Sequence, residues 1–129
     1  MPTVLVVEDD PNQRLLYQEE LTEQGYEVLE AASGQEALEI LGSNDVDCVV
    51  LDIAMPGMDG VETLGKMLDI DNTLPVILNT AYSSYKDDFM TWAAEAYVVK
   101  SADLSELKKR VAEAVEKEAG ESEQSGDAD

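Results

Sequence analysis

A chain of 129 residues with eight basic and 29 acidic side chains carries a formal charge of −21. At this length it reads as one domain that buries roughly two-thirds of its unfolded surface. The acid excess argues against nucleic acid or an anionic membrane as a direct partner, and the absence of histidine excludes imidazole catalysis and imidazole metal ligands. Any metal site must then use oxygen donors, which suit Mg²⁺, Ca²⁺ or Mn²⁺. Cys48 is the only cysteine, so no intrachain disulfide can form, and its apolar setting marks it as a small core residue. With no signal peptide and no apolar run of membrane-spanning length, the expected location is cytoplasmic.

The chain opens on Thr3-Val4-Leu5-Val6-Val7, a β-branched run that predicts a fully buried strand, followed by Glu8-Asp9-Asp10 and Pro11. Asp10 suits a helix cap and Pro11 the first helical position, so the first helix is expected from Pro11 to about Gln24, with Leu16, Tyr17 and Leu21 inward and Gly25 as its stop. Tyr26 to Glu30 alternates as a second strand. Ser33-Gly34-Gln35-Glu36 is a capping box for a second helix carrying Ala37, Leu38 and Leu41. The third strand, Asp45 to Leu51, delivers Asp52 into the loop Ile53-Ala54-Met55-Pro56-Gly57-Met58. A third helix then starts at Asp59-Gly60 and buries Val61, Leu64 and Leu68.

Leu74 to Leu78 predicts the fourth strand, with Asn79-Thr80-Ala81 at its end. A fourth helix is expected from Ser83 or Ser84, containing Phe89 and Trp92. Ala96 to Val99 predicts the fifth strand, ending on Lys100. The fifth helix is expected from Asp103, with Glu106 as its box partner and Leu104, Leu107, Val111 and Ala114 on its apolar face. From Ala119 onward apolar content ends. The expected division is a folded domain over 1–118 and a disordered acidic tail over 119–129. Strict β-α alternation with short connections predicts an α/β fold: a single doubly wound parallel sheet of five strands with five helices on its two faces.

A parallel sheet gathers all its C-terminal strand ends on one edge. Glu8 and Asp9, Asp52, Thr80 and Lys100 all fall there, from four strands. Three carboxylates in one pocket repel: at 4 Å and an effective dielectric near 20, each close pair costs about 4 kcal/mol. A divalent cation relieves this, and Mg²⁺ is the expected cofactor, with Mn²⁺ the alternative. Lys100 offsets part of the remaining charge. A carboxylate beside such a cation, a lysine and a hydroxyl can accept a phosphoryl group, with Asp52 as nucleophile.

The motifs Val6-Val7-Glu8-Asp9, Leu51-Asp52-Ile53-Ala54-Met55-Pro56-Gly57-Met58-Asp59-Gly60, Asn79-Thr80-Ala81 and Tyr97-Val98-Val99-Lys100 resemble, in this order and spacing, a response-regulator receiver domain of the CheY-like type. The resemblance covers residue 3 to about 117. It implies the flavodoxin/CheY-like strand order 2-1-3-4-5 and Asp52 as phosphoacceptor in a two-component phosphorelay. It further implies Mg²⁺ held by Glu8, Asp9, Asp52 and the Ala54 main-chain carbonyl, and Thr80 and Lys100 contacting the phosphoryl group. Capture of that group draws Thr80 inward, Tyr97 turns into the vacated space, and the face of helix 4, strand 5 and helix 5 is remodelled for a downstream protein or a homodimer. The implied donor is a sensor histidine kinase or histidine phosphotransfer protein. The chain would be a signalling switch rather than an enzyme, catalysing only its own phosphoryl transfer and slow dephosphorylation. Ala54 and Tyr82 occupy the positions that tune water access in the family. Ala54 cannot hold a water through its side chain and Tyr82 is bulky, so slow loss of phosphate is expected.

One departure is Ser101, where most members have a proline after the lysine, commonly in a cis peptide. A cis Lys100-Ser101 bond would cost about 3 kcal/mol more than trans, which leaves the reach of Lys100 open. Two competing readings have sequence signatures that are missing here. An aspartate-nucleophile phosphatase of the haloacid-dehalogenase type wants a second Asp at position 54, and a flavodoxin-like cofactor binder wants a Ser/Thr-rich loop where Glu8-Asp9-Asp10 stands. A receiver fold used as a protein-binding module without phosphorylation is the third alternative.

Overall fold

The computed structural model describes residues 1–53, 60–81 and 93–127. Its elements in chain order are β1 (Thr3–Val7), α1 (Pro11–Glu23), β2 (Glu27–Ala31), α2 (Gly34–Ser43), β3 (Cys48–Leu51), α3 (Gly60–Ile70), β4 (Val76–Thr80), β5 (Ala96–Val99) and α4 (Ser105–Asp127). The five strands form one parallel sheet in the order β2-β1-β3-β4-β5. Four helices are seen among the described residues. The helix expected from Ser83 or Ser84 lies outside them, and α4 is the fifth helix of the sequence pattern.

Alternation along each strand divides the core in two. Leu5, Val7, Val49, Leu51, Val76 and Leu78 meet Ala37 of α2 and Val61, Leu64 and Met67 of α3. Val4, Val6, Cys48, Val50, Ile77 and Val98 meet Tyr17 and Leu21 of α1 and Leu107, Val111 and Ala114 of α4. Cys48 is fully buried, and that burial pushes its thiol up to about 12, so it is an inert core residue. Leu16 departs from the expected pattern: it stays 43% exposed while Tyr17 and Leu21 fill the α1 stripe.

Local chemistry sets the element ends. The Asp10 carboxylate accepts from the Asn12 N–H at 2.9 Å and the Gln13 N–H at 3.4 Å, with Pro11 at the first helical position. At the other end of α1, Gly25 sits at φ 95°, its N–H donates to Thr22 O and the Tyr26 N–H to Leu21 O. These are the two bonds of a Schellman stop, and the left-handed residue between them favours glycine. Ser33 caps α2 by accepting from the Glu36 N–H at 3.2 Å.

Several boundaries shift from the sequence expectation, and β2 runs Glu27–Ala31 rather than Tyr26 to Glu30. β3 starts at Cys48 rather than Asp45, because Asp47 turns its carboxylate to the Thr3 N–H, 2.8 Å away. β4 starts after Pro75, which has no N–H to give the ladder, and extends through Asn79 and Thr80. α4 starts at Ser105 because the Asp103 carboxylate accepts from the Ser105 N–H at 2.9 Å and from its hydroxyl at 2.5 Å, an Asx turn in place of the box with Glu106. Its backbone also stays helical to Asp127, where a disordered tail was expected from Ala119. In that stretch Ala119, Glu121, Glu123 and Gln124 favour helix, while Gly120 and Gly126 oppose it.

Candidate functional site

The pocket is assembled one residue beyond the strands. The ladder continues through Glu8 N–H to Ala31 O at 3.0 Å, Asp52 N–H to Val7 O at 3.1 Å and Lys100 N–H to Thr80 O at 2.7 Å. These bonds fix the backbones of Glu8, Asp52 and Lys100 on the C-terminal edge, and Thr80, the last residue of β4, is fully buried beside them. Behind β3, Gly60 donates its N–H to Ile53 O at 3.2 Å. A Cβ at Gly60 would overlap the Ile53 main chain, so only glycine lets α3 start this close to the strand that carries Asp52.

Lys100 is the centre of the charge arrangement. Its Nζ donates to Glu8 Oε1 at 2.5 Å, Gln13 Oε1 at 2.6 Å and Asp52 Oδ2 at 2.8 Å. Glu8 and Asp52 are buried, and the lysine side chain is only 14% exposed. Burial drives the Glu8 carboxyl above its ordinary range, an effect that Lys100 and the Asp10 N–H only partly offset. For Lys100 burial acts downward, but the Asp52 and Glu8 carboxylates outweigh it and hold the ammonium above its ordinary value. The lysine is therefore charged at neutral pH. Lys100-Ser101 is joined by a trans peptide, no cis bond occurring among the described residues, and the lysine still reaches both carboxylates.

The ammonium bonds two members of a three-carboxylate set. Single oxygens of Glu8, Asp9 and Asp52 all lie within 4.8 Å of one another. The Asp9 carboxylate has no hydrogen-bond or ion-pair partner among the described residues, while its carbonyl accepts from Arg14. An all-oxygen, net anionic cluster of this size suits a hard divalent cation such as Mg²⁺. The structure brings Glu8, Asp9, Asp52 and Lys100 together, and Thr80 adjoins Lys100 through its main chain. Tyr97 is half-buried on β5, in register with Leu78 and packed against the α2/α3 side of the core. Ala54 and Tyr82 lie outside the described residues.

Two residues of the site escaped the sequence reading. Arg14 donates to Glu8 O at 2.8 Å and pairs with Glu30 at 3.7 Å, tying the β1–α1 loop to β2. Gln13 accepts from Lys100. Both stand within one turn of the acidic pair, on the helix that Asp10 caps, which is the signal that could have found them.

Comparison with known proteins agrees with this edge. Residues 4–112 match the family described as response regulator receiver domain. The chain is 34% identical over 110 residues to sporulation initiation phosphotransferase F of Bacillus subtilis, covering 84% of this chain and 89% of that protein. It is 39% identical over 112 residues to the transcriptional regulatory protein PrrA of Mycobacterium tuberculosis, covering 85% of this chain and 48% of that one. The chain thus spans most of the first relative and about half of the second. Among solved structures, the response regulator protein TrrA of Thermotoga maritima in complex with Mg²⁺-BeF superposes with a TM-score of 0.86 at 46% identity, covering 88% of this chain and 99% of that one. TrrA in complex with the histidine kinase ThkA gives 0.84 at 46% identity, covering 89% and 99%. The fold and the site define a signalling receiver, and the chain belongs to the response regulator receiver domain family.

Proposed function

We propose that Asp52 accepts a phosphoryl group and that this chain works as the phosphorylatable receiver of a two-component relay. The observation that carries the reading is the lysine bridge: Lys100 Nζ bonded to both Asp52 and Glu8, on an edge where Asp9 completes a three-carboxylate cluster. Asp52 Oδ would form the new O–P bond while the donor's P–N or P–O bond breaks, the electron pair leaving with the donor. Lys100 and the Thr80 hydroxyl would take charge from the equatorial oxygens. Glu8, Asp9 and Asp52, with the Ala54 carbonyl, would hold Mg²⁺, or Mn²⁺ in its place. When bound, that cation supplies charge neutralisation to the transferring group.

A histidine kinase or phosphotransfer protein is the proposed donor, supported by the kinase complex of the similar TrrA. Tyr97 and the β5–α4 face, with the residues around 83–92, form the proposed output surface toward a downstream protein or a second copy. Ala54 and Tyr82 are proposed to limit water access and so prolong the phosphorylated state. The receiver unit is taken as 1–118, with 119–129 outside it. No described helix is long and apolar enough to cross a membrane, and a cytoplasmic location fits that and the acidic charge.

Intact-mass measurement after incubation with acetyl phosphate and Mg²⁺ tests the central claim. The expected result is one added phosphoryl group, absent in Asp52→Asn and absent with chelator. Phosphate turnover without an adduct would move the reading to the phosphatase, and no reaction at all would leave a binding module. Decay after donor removal then tests the water-access claim, with loss within seconds contradicting it.

A further inference from the structure

An ammonium has three N–H donors, and Lys100 spends all three, on Glu8, Gln13 and Asp52. Two of these acceptors have other work if Asp52 is the phosphoacceptor, a reading on which this inference rests. Asp52 Oδ would carry the phosphoryl group as a mixed anhydride or be turned to a cation, and Glu8 belongs to the same carboxylate set. Gln13 differs from both. Its amide is neutral, cannot be titrated, and stands outside the carboxylate cluster, so a change of charge in the pocket does not remove it as an acceptor.

Gln13 is also well held. It is the third residue of α1, where its N–H reaches Asp10 Oδ1 at 3.4 Å and its Nε2 reaches Asp10 Oδ2, also at 3.4 Å. With the amide nitrogen facing the Asp10 carboxylate, the amide oxygen must face Lys100, so the network itself sets the orientation of the group. The next residue, Arg14, fastens the same turn to the Glu8 carbonyl.

We infer that Gln13 is a positioning residue for phosphoryl capture: it keeps the Lys100 ammonium aimed at the pocket while Glu8 and Asp52 exchange partners. Its effect passes through Lys100 and not through the cation set. Gln13→Met keeps the length and removes the acceptor. It should weaken binding of beryllofluoride, a phosphoryl mimic, by about three- to tenfold in saturating Mg²⁺, the range of the typical net contribution of one hydrogen bond. Affinity for Mg²⁺ alone should stay within about twofold of wild type.

The spectroscopic readout is the Lys100 ammonium resonance in a ¹⁵N-labelled sample, which three hydrogen bonds protect from exchange. That signal should broaden beyond detection in Gln13→Met. Gln13→Ala, which adds no bulk, repeats both measurements should the methionine disturb folding. An unchanged ammonium signal, or unchanged beryllofluoride affinity in a folded variant, overturns the inference. A wild-type protein that does not bind beryllofluoride overturns the phosphoacceptor reading and this role with it, whereas the ammonium signal still reports whether Gln13 holds Lys100.

Discussion

The two edges of the sheet carry the same residue type to opposite ends. On the N-terminal edge, Asp45, Asp47 and Asp71 surround a cavity of about 330 Å³. There Asp47 accepts from the Thr3 N–H at 2.8 Å, and Asp71 accepts from the Thr73 N–H at 2.9 Å and its hydroxyl at 2.6 Å. The Asp71 carboxylate is consumed by the turn it stabilises, and that of Asp47 by the main chain at the start of β1. On the C-terminal edge, Glu8, Asp9 and Asp52 crowd together, only Glu8 and Asp52 reach a lysine, and burial raises the Glu8 carboxyl. An acid at a strand end is structural when the adjacent backbone saturates it. It is available for chemistry when neighbouring acids and a distant cation must do so instead.

The sharpest way to break the contrast is Lys100→Met. It leaves Glu8 and Asp52 buried without their cation, a loss of about 3 kcal/mol, measurable by urea unfolding in chelator. A loss no larger than that of a typical surface substitution would mean the two edges are alike. Mg²⁺ comes next. At ten times its dissociation constant, a cation that binds only the folded state adds about 1.4 kcal/mol. This gain should appear in wild type and vanish in Asp9→Asn, followed by thermal unfolding or by the fluorescence of Trp92, the single tryptophan. Stabilisation of equal size in Asp9→Asn would place the cation elsewhere.

Much of the functional edge was legible because period and polarity are local signals. Val4 to Val7 and Cys48 to Leu51 are apolar runs ended by acids, and a parallel sheet forces such ends together. Gln13 and Arg14 were not legible. On α1 they read as ordinary polar residues of an exposed face, and only the distance from position 13 to position 100 across the fold gives Gln13 its partner. Leu16 failed in the opposite sense: it is apolar at nearly helical spacing, yet Tyr17 one residue on takes the place against β1. The start of β3 depended on Asp47 finding the Thr3 N–H, a contact 44 residues apart in sequence.

Smaller effects sharpen the N-terminal edge. Asp47→Ala removes the acceptor of one part-buried N–H and should cost about 1 kcal/mol in urea unfolding, without altering Mg²⁺ affinity. A change in Mg²⁺ affinity would show that the edges communicate.

The subtlest expectation concerns pH, and its sign differs between the edges. Hydrogen bonds from Thr73 hold Asp71 below its ordinary 3.8, so its contribution to stability is present above that value and is lost as pH falls through its folded pKa. Glu8, raised from 4.5 by burial, does the reverse in metal-free protein. The folded state holds its proton longer than the unfolded chain, so the relative benefit present at low pH fades as pH rises through a window starting near 4.5. Carboxyl ¹³C titration should place the Glu8 midpoint above 4.5 and that of Asp71 below 3.8. Mg²⁺ should move the first downward, because a cation favours the charged form, and leave the second where it was. Midpoints on the same side of their ordinary values, or a common response to Mg²⁺, would remove the distinction between acids saturated by a turn and acids held for a ligand.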